Sequence, residues 1–484
     1  MILVLDAGTS STRALLFDHD GAIHHVAQAE IDATYPRPGW VEQDAAAIWR
    51  ASRGVMEAAI QAAGGAARID AIGIANQRET VVAWDRTTGE PLAPAIVWQD
   101  RRTASTCAAL RDGGHEEAVQ ETTGLVLDPY FSASKMGWMI EREPAVSDAA
   151  RAGTLAFGTI DSWLLFRLTG AHLTDASNAS RTSLMNLETR EWDEGLCALF
   201  GVPPAALPEI VPMTGDLGTT SHFGAPIPIA GSAGDQQAAT IGQGCLVAGG
   251  AKATFGTGLF ALASTGTARP RSRHRLLATL LHAGPGEPLY ALEGSVFVAG
   301  SLVKWLRDMA GLVDSADETE LLARSVPDAG GVTIIPAFTG LGAPHWRADL
   351  EGSIHGLTFG TTRAHLVRAA LEAVTMSTRD LARAFIADGA GWDRLRVDGG
   401  MIANDWLAQD LADIIDVTVE RPVSVESTAR GAAMLAGIGR GVFDDLSHAA
   451  ERMTPPIERF EPRVDPAVRD DRISRWERVL GNVL

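Results

Sequence analysis

A chain of 484 residues exceeds one ordinary core; at ~100–200 residues per domain, two or three domains are expected. Hydrophobic residues make up 46% and charged residues 21%, which readily supplies globular interiors. A net charge of −19 argues against a nucleic-acid partner, whose phosphates need clustered Lys and Arg, but leaves room for a small anion held by a few local donors.

The N-terminal "MILVLD" meets an acidic residue too soon for the apolar stretch of an export signal. No run of ~18 apolar residues follows that could span a membrane. Cys107, Cys197 and Cys245 have neither disulfide-framework nor metal-ligand spacing. The expectation is therefore a reducing, cytoplasmic setting, with the three thiols as packing residues. In that setting the "NAS" at 178–180 matches a glycosylation acceptor only by chance.

The first elements read as an antiparallel meander: strand "ILVLDAG", turn "TSST", strand "RALLFD", turn "HDG", strand "AIHHVAQAE". "IDAIGIAN" and "TVVAWD" are further strands. "PIPIAGSAG" is a strand that runs into a helix over "DQQAATIGQGCLV". After "AGG" at 248–250 the pattern restarts with the strand-rich "KATFGTGLFALAST" and the strand "PLYALEG". Helices follow over "GSLVKWLRDMAGL" and over residues 361–389, where Leu366, Ala370, Val374, Leu381 and Phe385 recur at helical spacing. The chain closes with strand "RLRVDGG", helix "NDWLAQDLADII", strand "VTVERP" and the small-residue helix "TARGAAMLAGIG". The expected architecture is two α/β halves, 1–245 and 246–484, with no short repeat.

Each half opens on strands around a glycine-hydroxyl turn, "DAGTSST" in the first and "FGTG" in the second. Glycine lets the backbone approach closely, successive N–H groups make a positive concavity, and hydroxyls add donors. Two such turns facing one cleft could grip a nucleotide's phosphates. Asp6, ending the first strand, would then hold a hydrated Mg²⁺. From the turns alone, two ordinary hairpins read equally well.

Competing nucleotide motifs are missing. No Gly-Lys pair occurs, so there is no Walker loop, and no protein-kinase set is present. Ser132 and Lys135 form a Ser-x-x-Lys pattern without the companion Lys-Thr-Gly of serine β-lactamases. No His-Glu-x-x-His occurs and the 12 histidines form no ligand cluster.

Nine stretches, in order, carry a specific likeness: "LDAGTSSTRALLFDHDG", "YPRPGWVEQD", "IGIANQRETVVAWD", "AIVWQDRRT", "TGLVLDPYFSASK", "AGDQQAA", "FGTGLF", "IPAFTGLGAPHW" and "RVDGGMIANDWL". Together they span almost the whole chain. The chain resembles the FGGY family of carbohydrate kinases, and within it the branch that phosphorylates glycerol. The resemblance implies two ribonuclease-H-like domains of the actin and Hsp70 type with a catalytic cleft between them. It implies ATP and Mg²⁺ as cofactors, glycerol and ATP as binding partners, and a homodimer or homotetramer.

The implied reaction moves the ATP γ-phosphoryl to a glycerol hydroxyl, giving sn-glycerol 3-phosphate. Such transfer needs positioning, charge neutralisation and an acceptor for the hydroxyl proton. Asp235 matches the family's general base, although a lone Asp at a helix start would otherwise read as a cap. By the same likeness Arg78, Glu79, Tyr130, Asp235 and Gln236 bind hydroxyls, and Trp98 and Phe260 cover the carbons. Thr9, Ser10, Ser11 and Arg13 match the first phosphate loop, Gly256 and Thr257 the second. Gly300 and Lys304 match a nucleotide-contacting helix, and Gly400 and Asn404 a turn beside the adenosine. A glycine-initiated helix offers free N–H groups to an anion or ribose. Ala7, Ser10, Phe255, Lys304 and His345 depart from the family's usual residues, and none of them is a substrate position.

Two alternatives stay open. One is a kinase for another polyol or sugar, such as erythritol or a ketose. The other is an actin- or Hsp70-like ATPase, which has no use for Asp235 with Arg78, Glu79 and Trp98. Some family members are regulated at the loop before "PIPIAG", by fructose 1,6-bisphosphate or by histidine phosphorylation. Here residues 214–230 hold no Lys or Arg, so bisphosphate binding is expected to be weak, and His222 reads as a surface histidine.

Overall fold

In the computed structural model, residues 1–284, 286–347 and 349–484 are described. The first sheet runs through β1 (Ile2–Ala7), β2 (Ser11–Phe17), β3 (Ile23–Glu30), β4 (Ala71–Asn76), β5 (Thr219–Thr220) and β6 (Ile227–Gly234), in the order β5-β6-β4-β1-β2-β3. The second runs through β7 (Gly250–Phe255), β8 (Leu259–Gly266), β9 (Leu277–His282), β10 (Leu289–Val296), β11 (Arg394–Asp398), β12 (Thr418–Pro422) and β13 (Ile457–Phe460), in the order β9-β10-β8-β7-β11-β12-β13.

Both sheets share one plan. A central strand pairs antiparallel with its hairpin partner on one side, β1 with β2 and β7 with β8. On the other side it pairs parallel with strands reached by crossovers: β1 with β4, β4 with β6, β7 with β11, and β11 with β12. The central strands are buried along most of their length, as sheets covered on both faces require. The C-terminal ends of the parallel strands and both glycine turns therefore fall on one edge of each sheet. That is where open α/β sheets place ligands.

Helix α1 (Ala45–Ala62) covers the first sheet with Ile48, Trp49, Val55, Met56, Ala59 and Ile60, and Asp44 caps it by accepting from the Ala46 N–H. Helix α2 (Asp235–Gly242) leaves β6 directly. The further helices used below are α3 (Gly300–Asp308), α4 (Arg363–Ala387), α5 (Asp405–Ile415) and α6 (Ser427–Gly439). Along α4, Ala370, Val374, Leu381 and Phe385 are buried, and Leu366 is half-buried against the same core.

The small residues of α6 have a packing reason. A Cβ on Gly431 would lie 1.8 Å from the Ala238 carbonyl oxygen, and one on Gly242 would lie 2.0 Å from that of Ser427. So α2 and α6 meet backbone to backbone. One apolar cluster joins Ile2, Val4, Leu15 and Phe17 of the first sheet, Leu262, Leu281 and Ala291 of the second, and Ala429, Ala432 and Ala433 of α6. The two sheets thus share core.

Two expected helices are shorter than read. The run from Asp235 ends at Gly242, because Gly244 turns left-handed at φ 67°. The run from Gly300 ends at Asp308, with Gly311 left-handed at φ 62°. Strand β9 and helix α1 are additions. No helix among the described residues is long and apolar enough to cross a membrane.

Candidate active site

Arg78 and Glu79 leave the end of β4 on a tight bend. The Thr80 N–H donates to the Arg78 carbonyl at 2.7 Å, and Glu79 is left-handed at φ 60°. A non-glycine residue there stores strain of ~1–3 kcal/mol, a feature common at functional sites. Arg78 reaches from this bend to Asp235, the first residue of α2, and Glu79 to Arg181. Arg78 Nε lies 3.2 Å from Asp235 Oδ1, which also accepts from the Gln236 N–H at 2.7 Å. Among the described residues Oδ2 accepts no hydrogen bond, and the side chain is 33% exposed. Burial raises the Asp235 carboxyl above its ordinary range, against the pull of Arg78 and Lys252.

Aromatic rings from both halves meet beside Arg78. Trp98 meets Tyr130 at 5.6 Å and Phe260, on β8, at 6.2 Å between ring centroids, both edge to face. Arg78 Nη2 donates to the Tyr130 hydroxyl at 3.5 Å. The expected substrate residues Arg78, Trp98, Tyr130, Asp235, Gln236 and Phe260 therefore converge, and Glu79 joins them through a buried ion-pair chain. Arg78 donates to both Glu293 oxygens at 2.6 and 3.1 Å. Arg181 donates to Glu293 Oε1 at 3.0 Å and to Glu79 Oε1 at 2.7 Å. Burial alone would raise the Glu293 carboxyl, but Arg181 and Arg78 draw it down to about 2.

Three residues of this neighbourhood, Arg181, Glu293 and Lys252, escape the sequence reading. Arg181 and Glu293 carry no local motif. Lys252, one of only three lysines, is fully buried on β7, donates to the Gln236 side-chain oxygen, and donates to Thr254 Oγ1 at 2.9 Å. Lys135 is fully buried too, and burial lowers its pKa to about 8. Its Nζ donates to the Tyr130 carbonyl at 2.6 Å, while Ser132 Oγ donates to the Glu79 carbonyl at 3.1 Å. The Ser-x-x-Lys pair thus braces two site residues and does not form a nucleophile.

The turn residues expected to meet a nucleotide lie on the same edges. Thr9 Oγ1 accepts from Trp98 Nε1 at 2.9 Å, so the first turn touches the aromatic wall. Ser10 is exposed and Ser11 half-buried beside it. Arg13 bridges Asp6 Oδ2 at 2.6 Å and Glu426 at 2.9 Å. In the second turn the Gly256 N–H is engaged by the Gly258 carbonyl at 2.9 Å, and the Gly256 carbonyl accepts from the Gly300 N–H at 2.9 Å. A Cβ on Gly300 would sit 2.5 Å from that carbonyl oxygen, which fixes α3 against the turn. Thr257 sits at the apex of this turn, and Lys304 is exposed on α3. Gly400 opens a single 3₁₀ turn beyond β11, and Asn404 caps α5 by accepting from the Leu407 N–H at 2.9 Å.

Asp6 is 7% exposed and leaves Oδ1 unengaged. No group of three or more His, Cys, Asp or Glu side chains converges as a metal cage among the described residues. One carboxylate oxygen near phosphate turns is what Mg²⁺ uses when it keeps its waters, so Asp6 fits that part. Away from the site, His222 is exposed, with Nε2 3.0 Å from the Arg167 carbonyl and its ring 5.5 Å from Trp49.

Residues 1–242 match the N-terminal domain of the FGGY family of carbohydrate kinases, and residues 251–440 match its C-terminal domain. The chain belongs to the FGGY family of carbohydrate kinases. It is 50% identical over 485 residues to a glycerol kinase of Aromatoleum aromaticum, covering 99% of this chain and 98% of that one. It superposes on the crystal structure of Plasmodium falciparum glycerol kinase with ADP at a TM-score of 0.93 and 35% identity, covering 100% and 98% of the two chains. A xylulose kinase from Rhodospirillum rubrum superposes at 0.87 with 26% identity, over 99% and 98%. The FGGY fold therefore houses more than one substrate, and side chains at the site must decide between them.

Proposed function

We propose that this chain transfers the γ-phosphoryl group of ATP to a primary hydroxyl of glycerol, giving sn-glycerol 3-phosphate. The observation that carries the reading is Asp235. One of its oxygens is fixed by Arg78 and the Gln236 N–H, the other is left to accept a proton, and the same Arg78 reaches the Tyr130 hydroxyl of a Trp98–Tyr130–Phe260 aromatic group.

In this reading Asp235 Oδ2 takes the hydroxyl proton as the oxygen attacks in line. Arg78, Glu79 and Gln236 orient the remaining hydroxyls, while Trp98, Tyr130 and Phe260 pack the carbons and exclude water. Thr9, Ser10, Ser11 and Arg13 from the first half, and Gly256 and Thr257 from the second, take the phosphates. Gly300, Lys304, Gly400 and Asn404 line the adenosine side. Asp6 would hold Mg²⁺ through water, and the ion would neutralise charge on the phosphate oxygens. The domains of this reading are 1–245 and 246–484, acting as a homodimer or homotetramer in the cytoplasm, where the three buried free cysteines stay reduced.

A panel of polyols and sugars in a coupled ADP-release assay tests the reading. Glycerol should give the highest kcat/KM, ahead of erythritol, xylulose and gluconate. A larger substrate winning the panel would overturn glycerol as the substrate, and turnover independent of any polyol would point to an ATPase.

A further inference from the structure

The ion-pair chain Asp235–Arg78–Glu293–Arg181–Glu79 begins and ends on two groups proposed to meet the substrate. Its middle member comes from elsewhere. Arg78, Arg181 and Glu79 belong to the first half of the chain, whereas Glu293 sits on β10 of the second sheet, 215 residues from Arg78 and 112 from Arg181. The four inner side chains are each at most 2% exposed. Two guanidinium groups balance the two buried glutamates, and Asp235 at the rim adds the charge that faces the cleft.

A buried ion chain of this kind is a poor stabiliser, because removing four charges from water costs about what their mutual attraction returns. Its value lies in geometry. Glu293 holds Arg78 by two parallel N–H bonds, a fork that fixes both the position and the plane of the guanidinium. That plane is what leaves Nε on Asp235 and Nη2 on Tyr130. The same Glu293 oxygen that serves Arg78 Nη2 also accepts from Arg181. Arg181 in turn holds one oxygen of the strained Glu79, and among the described residues the other oxygen of Glu79 accepts no hydrogen bond. Without Glu293, Arg78 is free to swing wholly onto Asp235 and close off the base, and Glu79 loses its anchor.

We propose that Glu293, from across the seam between the two sheets, and Arg181, within the first half, are positioning residues for substrate recognition that set Arg78 and Glu79. This rests on the reading of Arg78, Glu79 and Asp235 as the polyol site. It makes recognition of the polyol depend on a contact between the two halves, while the phosphate turns lie outside the chain of contacts.

The test is steady-state kinetics on Glu293→Gln and Arg181→Lys, with the two KM values measured separately. Misplacing binding groups by about an ångström costs on the order of 10²-fold. E293Q should therefore raise KM for glycerol by about 10- to 100-fold and R181K by about 10-fold. KM for ATP should stay within about twofold in both. R181K keeps the buried positive charge and decides the matter if E293Q fails to fold. A purely structural role would lower the melting temperature and leave the ratio of the two KM values unchanged, and that result would overturn the proposal. If the wild-type enzyme prefers a larger polyol, glycerol falls as the substrate and the same ratio is read on that polyol.

Discussion

The two sides of the site differ in how fully the protein has paired its own charges. On the polyol side, Arg78, Glu79, Arg181 and Glu293 form one continuous chain of ion pairs and hydrogen bonds. On the proposed adenosine side, Asp398 at the end of β11 accepts from Gln243 Nε2 at 2.7 Å through one oxygen only among the described residues. Its other oxygen, Gln243 Oε1, Ser427 Oγ, and Arg430 Nε and Nη1 are buried without a hydrogen-bond partner among the described residues. Arg430 is 1% exposed. Burial pushes its guanidinium below the ordinary value, although Glu426 and Asp398 oppose the shift. On the first side every charge has an ion-pair partner, although Arg181 Nη1 is buried without a hydrogen bond among the described residues, so the cluster is intolerant of loss; on the second Arg430 makes no ion pair among the described residues and bears a desolvation cost that substitution can relieve. The contrast teaches where each kind of change should act.

The largest effect belongs to the polyol side. Asp235→Asn keeps the shape of the site and removes the proton acceptor, so kcat should fall by about 10²–10⁴-fold. The fold should survive, because the asparagine side-chain oxygen can still accept from the Gln236 N–H. Near-normal turnover, measured in the coupled assay at saturating glycerol and ATP, would remove Asp235 from the chemistry.

The next effect is on stability. Glu293 is held at about 2 against an ordinary 4.5. A carboxyl depressed in the folded state contributes stability that is fully present above its unfolded value and is lost as pH falls toward the folded one. Urea denaturation should show this loss as pH falls from about 4.5 toward 2, and E293Q should flatten the profile there. Equal slopes for the two proteins would mean that other carboxylates carry the acid sensitivity. The adenosine side should respond with the opposite sign: Arg430→Leu should raise stability by about 1 kcal/mol or more by removing an unpaired buried charge. A destabilised R430L would show that the guanidinium has a partner in solution and would erase the contrast.

Much of this site is legible because its parts are local. The glycine turns, the strand running into Asp235, and the Arg78–Glu79 bend are short stretches whose chemistry is written in neighbouring residues. The resemblance then assigns them expected roles, and the structure links Asp235, Arg78, Tyr130, Trp98 and Phe260 by successive contacts. Arg181, Glu293 and Lys252 are not legible for a physical reason. Arg181 and Glu293 act on each other across 112 residues, and burial of a charged side chain, that of Lys252 included, leaves no periodicity. The backbone contact of α2 with α6 is half legible. "TARGAAMLAGIG" announces small residues, but only the fold shows that Gly242 and Gly431 let two helices touch. The ends of α2 and α3 are misread because an apolar pattern continues past the left-handed glycines that stop them.

The smallest effect should come from a hydrogen bond that joins the aromatic wall to the first glycine turn. Trp98 Nε1 donates to Thr9 Oγ1 at 2.9 Å, while the same indole ring packs edge to face on Tyr130 and Phe260. Trp98→Phe keeps a ring in the wall and deletes the donor. A neutral hydrogen bond is worth about 0.5–1.5 kcal/mol, and Thr9 keeps its hydroxyl as a donor toward phosphate. The expected cost is therefore about 2- to 10-fold in kcat/KM, and it should appear for both substrates because the bond joins the polyol wall to the first phosphate turn. That pattern differs from E293Q, whose effect should fall on the polyol alone. If W98F shifts only the KM for glycerol, the indole serves as a wall and the first turn is held by its own backbone. If it shifts only the KM for ATP, the Trp98–Thr9 bond belongs to the phosphate side, and the boundary between a finished polyol site and an unfinished nucleotide site runs through the indole ring.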